Sequence, residues 1–230
     1  MQKSEKYKNL VLKRKNCSLC QNLSNPSFIK NGQWDSDHIG PWSLWQGNLD
    51  TEIIVVGQDW GDIRYFEKWQ GRDQVSGNPT NTNLQQLLET IGISIKKPQD
   101  KQREIIFLSN VILCLKTGGL QAKVEKEWFE NCSKNFLSPL IDIIKPKIVI
   151  SLGKSVSETI LNLYKVPYLK SAKFSKIVES SPFLLTQETY LFPMYHCGAG
   201  SINRNRSFNL QKQDWKKLKL WLGDCPRTKN

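Results

Sequence analysis

Ile53-Ile54-Val55-Val56-Gly57-Gln58-Asp59-Trp60-Gly61-Asp62 is the stretch on which the fold turns. Four consecutive β-branched residues predict a strand buried on both faces, and Gly57 ends it. Three further segments read the same way. Ile105–Leu108 continues through Ser109-Asn110-Val111-Ile112, Lys147–Leu152 is closed by Gly153, and Tyr190–Tyr195 ends at His196. Helical spacing separates them at Asn83–Ile91, at Trp128–Ile144 with Pro139 placed to bend it, and at Lys154–Tyr164. Tyr7–Arg14 precedes the first strand as a helix, and a basic helix near Asp214–Leu222 closes the chain. Strands alternating with helices predict a three-layer α/β/α fold around a four-stranded parallel sheet. At 230 residues the chain is expected to form a single domain, 1–230. Residues 24–50, where Trp34, Trp42 and Trp45 stand among Asn, Gly, Pro and Asp, read as a packed loop inserted into it.

Ligands of such sheets bind beyond the carboxyl ends of the strands. The first strand delivers Gln58, Asp59, Trp60, Gly61 and Asp62 there, the second Asn110, the third Gly153-Lys154-Ser155, and the fourth His196. Any one of these residues has a plain structural use; Asp62, for instance, suits the cap of a following helix. Together, a carboxylate, an amide and an imidazole at one sheet edge make a site able to hold a heterocycle and cleave a bond. The choice between Asp59 and Asp62 as the key carboxylate stays open at this point.

The net charge of +12 is unevenly spread. Residues 1–16 hold six Lys/Arg and one acid, and from His196 onward there are eight Lys/Arg and two Asp, so the middle is near neutral. Two basic ends suggest a polyanion, with nucleic acid the first candidate, while a solvated surface is the plainer account. No apolar run approaches the ~20 residues of a membrane span. The polar start MQKSEKYKNL lacks the core of a signal peptide, so a cytoplasmic protein with reduced or metal-bound cysteines is expected. Cys17-x2-Cys20 is by itself consistent with zinc or with chance.

In four successive segments the chain resembles the uracil-DNA glycosylase superfamily. Ile53–Asp62 is similar to its first motif, Phe107-Leu108-Ser109-Asn110-Val111 to the strand whose asparagine reads the base, and Pro146–Gly153 to its third strand. Pro193-Met194-Tyr195-His196 with Ser201–Ser207 is similar to its last motif. The resemblance runs from Cys17 to Leu222, and the cysteine layout is similar to that of the iron–sulfur, family 4-like members. It implies a DNA glycosylase that flips a base and hydrolyses its N-glycosidic bond, with Asp59 and His196 catalytic. Gln58, Asn110, Gly61 and Trp60 would lie at the base, and Lys154, Ser155, Arg204 and Arg206 on the DNA. It also implies a structural 4Fe–4S cluster on Cys17, Cys20, Cys114 and Cys132, with Cys197 and Cys225 ordinary thiols. DNA is then the partner, no protein partner is implied, and a monomer is expected.

Four departures from the family pattern bear on the substrate. Trp60 stands where relatives have proline, and Gly61 where strict uracil enzymes place a tyrosine that excludes a C5 methyl group. Asn78-Pro79-Thr80-Asn81 replaces a stretch with a stacking phenylalanine, and Cys197-Gly198 replaces the proline after the histidine. A roomier pocket follows, suited to uracil or to a C5-modified pyrimidine such as occurs in phage DNA, with an antiviral use. The competing reading is a DNA-binding module, iron–sulfur or zinc, without turnover.

Overall fold

A computed structural model gives the architecture and describes residues 2–40, 47–72, 77–95, 106–199 and 205–224. Trp42, Trp45, Ile105, Arg204 and Cys225 lie outside these residues. The chain runs α1 (Lys3–Lys15), β1 (Leu23–Ser24), a 3₁₀ segment (Pro26–Gly32), β2 (Ile53–Gly57), α2 (Ile63–Lys68), α3 (Pro79–Thr90) and β3 (Ile106–Asn110). It continues with β4 (Leu115–Lys116), α4 (Lys126–Cys132), α5 (Ser138–Ile144), β5 (Ile148–Leu152) and α6 (Lys154–Leu163). Then come α7 (Phe174–Glu179), β6 (Phe183–Leu184), β7 (Tyr190–Met194) and α8 (Phe208–Asp224).

The main sheet has the order β3-β2-β5-β7-β6. Its first four strands are parallel, as the apolar runs predict, and β6 adds a two-residue antiparallel edge on β7. Successive residues of β2 feed opposite layers. Ile54 and Val56 pack with Phe107 and Val149 under α1, α4, α5 and α6, whereas Ile53 and Val55 pack with Leu108 and Ile150 under α2, α3 and α8. Every residue of β2, β3 and β5 is buried. The register is level, with Gly57 opposite Asn110 and Leu152 opposite Met194. The four strand exits therefore open at one height, which is what gathers the motifs into one place.

The helix expected over Trp128–Ile144 is divided. Between α4 and α5 the ladder widens into a π-turn at Ser133–Leu137, one turn ahead of Pro139. Proline has no N–H to return to the Asn135 carbonyl, and the wider turn takes up that break. Asn78 caps α3 through its side chain with Pro79 in the first turn, so this helix starts four residues before Asn83. The described part of the 24–50 segment is tied down by a buried arginine. Arg14 is buried in it, with Nη1 2.8 and 2.9 Å from the Asp35 carboxylate oxygens and Nη2 donating to Ser36 O and His38 O. Among the described residues no helix is long and apolar enough to cross a membrane.

Candidate active site

The level strand exits surround one cavity of about 700 Å³. Its walls include Gln58, Asp59, Trp60 and Gly61 from β2, Asn110 from β3, Lys154 and Ser155 from α6, and His196 after β7. Sequence reasoning placed all eight of these residues there.

Asn110 is 2 % exposed, and neither its amide nitrogen nor its oxygen has a partner. A buried amide with both halves unpaired is costly unless a ligand completes it. Gly57 is what lets it sit there. A Cβ at position 57 would collide with the Asn110 side-chain oxygen, so close approach, rather than a sharp turn, explains this glycine.

The Asp59 carboxylate is held from two sides. Gln58 Nε2 donates to Oδ2 at 2.8 Å, and Lys116 Nζ stands 3.2 Å from Oδ1 and 3.4 Å from Oδ2. Asp62, the rival carboxylate, instead accepts from Tyr65 N at 2.8 Å as the cap of α2. The two aspartates are thereby separated by geometry. Asp62→Ala is expected to lower stability by about 1 kcal/mol, the ordinary price of a lost cap, and to leave turnover within a few-fold. Chemical denaturation and a rate measurement on the same preparation check both.

His196 Nδ1 accepts from Gly198 N at 3.0 Å. With Nδ1 an acceptor, the neutral ring carries its proton on Nε2, which is left as a donor. Burial lowers the imidazole pKa below its ordinary value, and the charge of Asp59 opposes part of that shift. The turn is locked by its neighbours: Asn83 Nδ2 donates to Cys197 O at 2.8 Å, and the Cys197 thiol, pushed up to about 12 by burial, lies 3.5 Å from Thr80 O. A Cβ at 198 would press on the His196 ring at 2.8 Å, so glycine there is a packing requirement.

Other predicted residues are placed differently. Trp60 reaches the cavity wall, but its ring is buried between Tyr65 and Phe66, each edge-on, and serves the core. Arg206 makes a two-point ion pair with Asp214, both contacts at 2.8 Å, and covers the Tyr195 ring. Its guanidinium fastens the segment after β7 to α8. Lys154 is half-exposed at the start of α6, 3.8 Å from Glu158, on the cavity wall. Lys116, Tyr65 and Leu120 line the cavity without having been foreseen, and Asn78, from the stretch that replaces a stacking phenylalanine, lies there with them.

A second, smaller cavity of about 120 Å³ is walled by Cys17, Cys20, Cys114 and Cys132 together with Leu19, Leu23, Phe28 and Phe136. Asn25 ties the end of α1 to it, donating to Arg14 O at 2.7 Å and Cys17 O at 2.9 Å. Trp128 Nε1 donates to Gln21 O at 3.1 Å and fixes the Cys17–Cys20 turn on α4. Cys20 and Cys132 share a hydrogen bond that lowers the former and raises the latter, while burial pushes Cys114 up to about 12. Among the described residues no group of three or more Cys, His, Asp or Glu is gathered so as to hold a single metal ion. Four thiols line this cavity, a donor set that either zinc or an iron–sulfur cluster takes.

This chain's sequence agrees with that geometry. Residues 44–221 match the model of the Uracil DNA glycosylase superfamily. The type-4 uracil-DNA glycosylase of Sulfurisphaera tokodaii is 26 % identical over 177 residues, covering 76 % of this chain and 71 % of that protein. That of Thermotoga maritima is 27 % identical over 180 residues, covering 77 % and 81 %. With the family model spanning most of the chain, this protein belongs to the uracil-DNA glycosylase superfamily and is a DNA N-glycosylase.

Proposed function

We propose that this chain flips a pyrimidine out of DNA, uracil or a relative modified at C5, and hydrolyses its glycosidic bond to leave an abasic site. The observation that carries the reading is Asn110, whose unpaired buried amide asks for a ligand bringing one donor and one acceptor. The edge of a flipped pyrimidine offers that pair. Negative charge collecting on the base's carbonyl oxygen meets the His196 Nε2–H. Asp59 opposes positive charge on the sugar and orients the attacking water, with Gln58 steadying the carboxylate. The start of α6, with Lys154 and Ser155, takes a phosphate, and the basic chain ends add a salt-sensitive attraction. The protein acts on DNA as a cytoplasmic monomer, within one domain spanning 1–230.

Gly61 supports the reading that C5 substituents are admitted. Its φ is +127°, a conformation side chains rarely adopt, and a Cβ there would press on Leu120 at 3.0 Å. Position 61 thus carries no wall, and the residue nearest it, Leu120, is itself 53 % exposed. Excision of a base confined to modified phage DNA would serve antiviral defence rather than repair. Oligonucleotides carrying uracil, thymine, hydroxymethylated and glucosylated pyrimidines test this, with release expected for uracil and at least one larger base. Release of uracil alone would remove the C5 reading.

The four cysteines around the smaller cavity are assigned to a 4Fe–4S cluster, which would join α1, β4 and α4 as a structural pin. Purified protein is expected to be brown and to contain iron and acid-labile sulfide. Cys132→Ser is expected to lose the visible absorption. A colourless protein containing zinc would contradict the assignment.

A further inference from the structure

We propose that Lys116 gives this site a second activity: capture of the abasic sugar as an imine, followed by scission of the strand on its 3′ side. The proposal rests on the reading that Asp59 faces C1′ of the flipped nucleotide. Lys116 is 5 % exposed, lines the same cavity as Asn110 and His196, and donates to Leu120 O at 2.8 Å besides pairing with Asp59. Its backbone is fixed as well, Lys116 N donating to Gly61 O at 3.1 Å. An amine in contact with the carboxylate that faces C1′ is itself within reach of C1′. The other lysine of the cavity, Lys154, is half-exposed at the rim and directed to Glu158.

For hydrolysis alone this placement does no more than steady the carboxylate, and at a cost. A positive charge 3.2 Å from Asp59 weakens the field that the carboxylate exerts on a cationic sugar, and burying an ammonium is costly. A lysine amine held against a carboxylate base is, however, an effective nucleophile toward a carbonyl carbon. After base release the abasic sugar opens to an aldehyde at C1′. The Asp59 carboxylate accepts a proton from the ammonium, and the freed amine pair forms the N–C1′ bond. The C1′ hydroxyl leaves as water with that proton, giving an iminium ion. Asp59 then removes a C2′ proton, the electron pair forms the C2′–C3′ double bond, and the C3′–O bond breaks with the phosphate as leaving group. Water hydrolyses the imine and returns the lysine. Nothing is oxidised or reduced in the sequence.

The test uses the intact wild-type protein and DNA whose single abasic site has been formed beforehand by acid depurination, so base release is not required. Sodium borohydride is expected to trap a covalent protein–DNA adduct, and peptide mapping is expected to place it on Lys116. Strand breaks should form without alkali, and Lys116→Arg should lose both adduct and breaks. Absence of an adduct while abasic DNA is bound overturns the proposal, as does an adduct on Lys154 or the N-terminal amine. Free uracil measured separately from uracil-containing DNA distinguishes this failure from failure of the glycosylase reading.

Discussion

Asp59→Asn is expected to slow base release by about 10²–10⁴-fold, the range for loss of a positioned acid–base group, with DNA binding retained. Asparagine keeps the shape and one oxygen acceptor for Gln58 and Lys116 but carries no charge to set against the sugar cation. The control against a trivial loss of fold lies in the same pocket. Removing one partner of a buried pair ordinarily destabilises, so thermal stability of the variant must be read beside its rate. A rate loss in a variant that still melts cooperatively belongs to the chemistry. A rate within a few-fold of wild type would remove Asp59 from the mechanism and leave the site without a carboxylate, since Asp62 is occupied as a cap.

The second large effect is expected from His196→Ala, about 10²–10³-fold in rate, as for other single donors to a developing oxyanion. Its pH behaviour follows from burial. The imidazole binds its proton less readily in the folded chain than in the unfolded one, whose value is about 6.5. Stability from this group is therefore complete above about pH 6.5 and is lost as the pH falls from there toward the lower folded value. Protonation would also place a second N–H on Nδ1, against the N–H of Gly198, and open the turn. Wild type is expected to lose more stability on acidification than His196→Ala, as read by denaturant midpoints at neutral and mildly acidic pH. Equal losses in the two proteins would mean that His196 is not buried neutral.

Much of this was legible in the residues because a doubly covered parallel strand leaves a plain mark. Ile53–Val56 and Ile148–Ile150 are continuous apolar runs, and a level register makes residues at the ends of such strands neighbours. Asp59, Asn110 and His196 were found by that logic. Lys116 was not, because a lysine in a sequence reads as solvated surface. Only the pairing of β4 with β1, and of Lys116 N with Gly61 O, turns it inward. The partner of Arg206 was hidden for the same reason: a basic residue in a basic segment gives no sign of Asp214, which α8 brings to it. The first turn of α3, from Pro79, was missed because capping residues and turn residues are the same residues. The two-residue β6 and the six-residue α7 are too short for periodicity to register.

Release of free uracil by the purified wild-type protein from an oligonucleotide carrying one uracil tests the central claim most directly. The expected result is free base together with an abasic site at that position, abolished by Asp59→Asn. DNA that is bound but keeps its base, for uracil and for every C5-modified pyrimidine offered, would contradict the claim and make this fold a binding module.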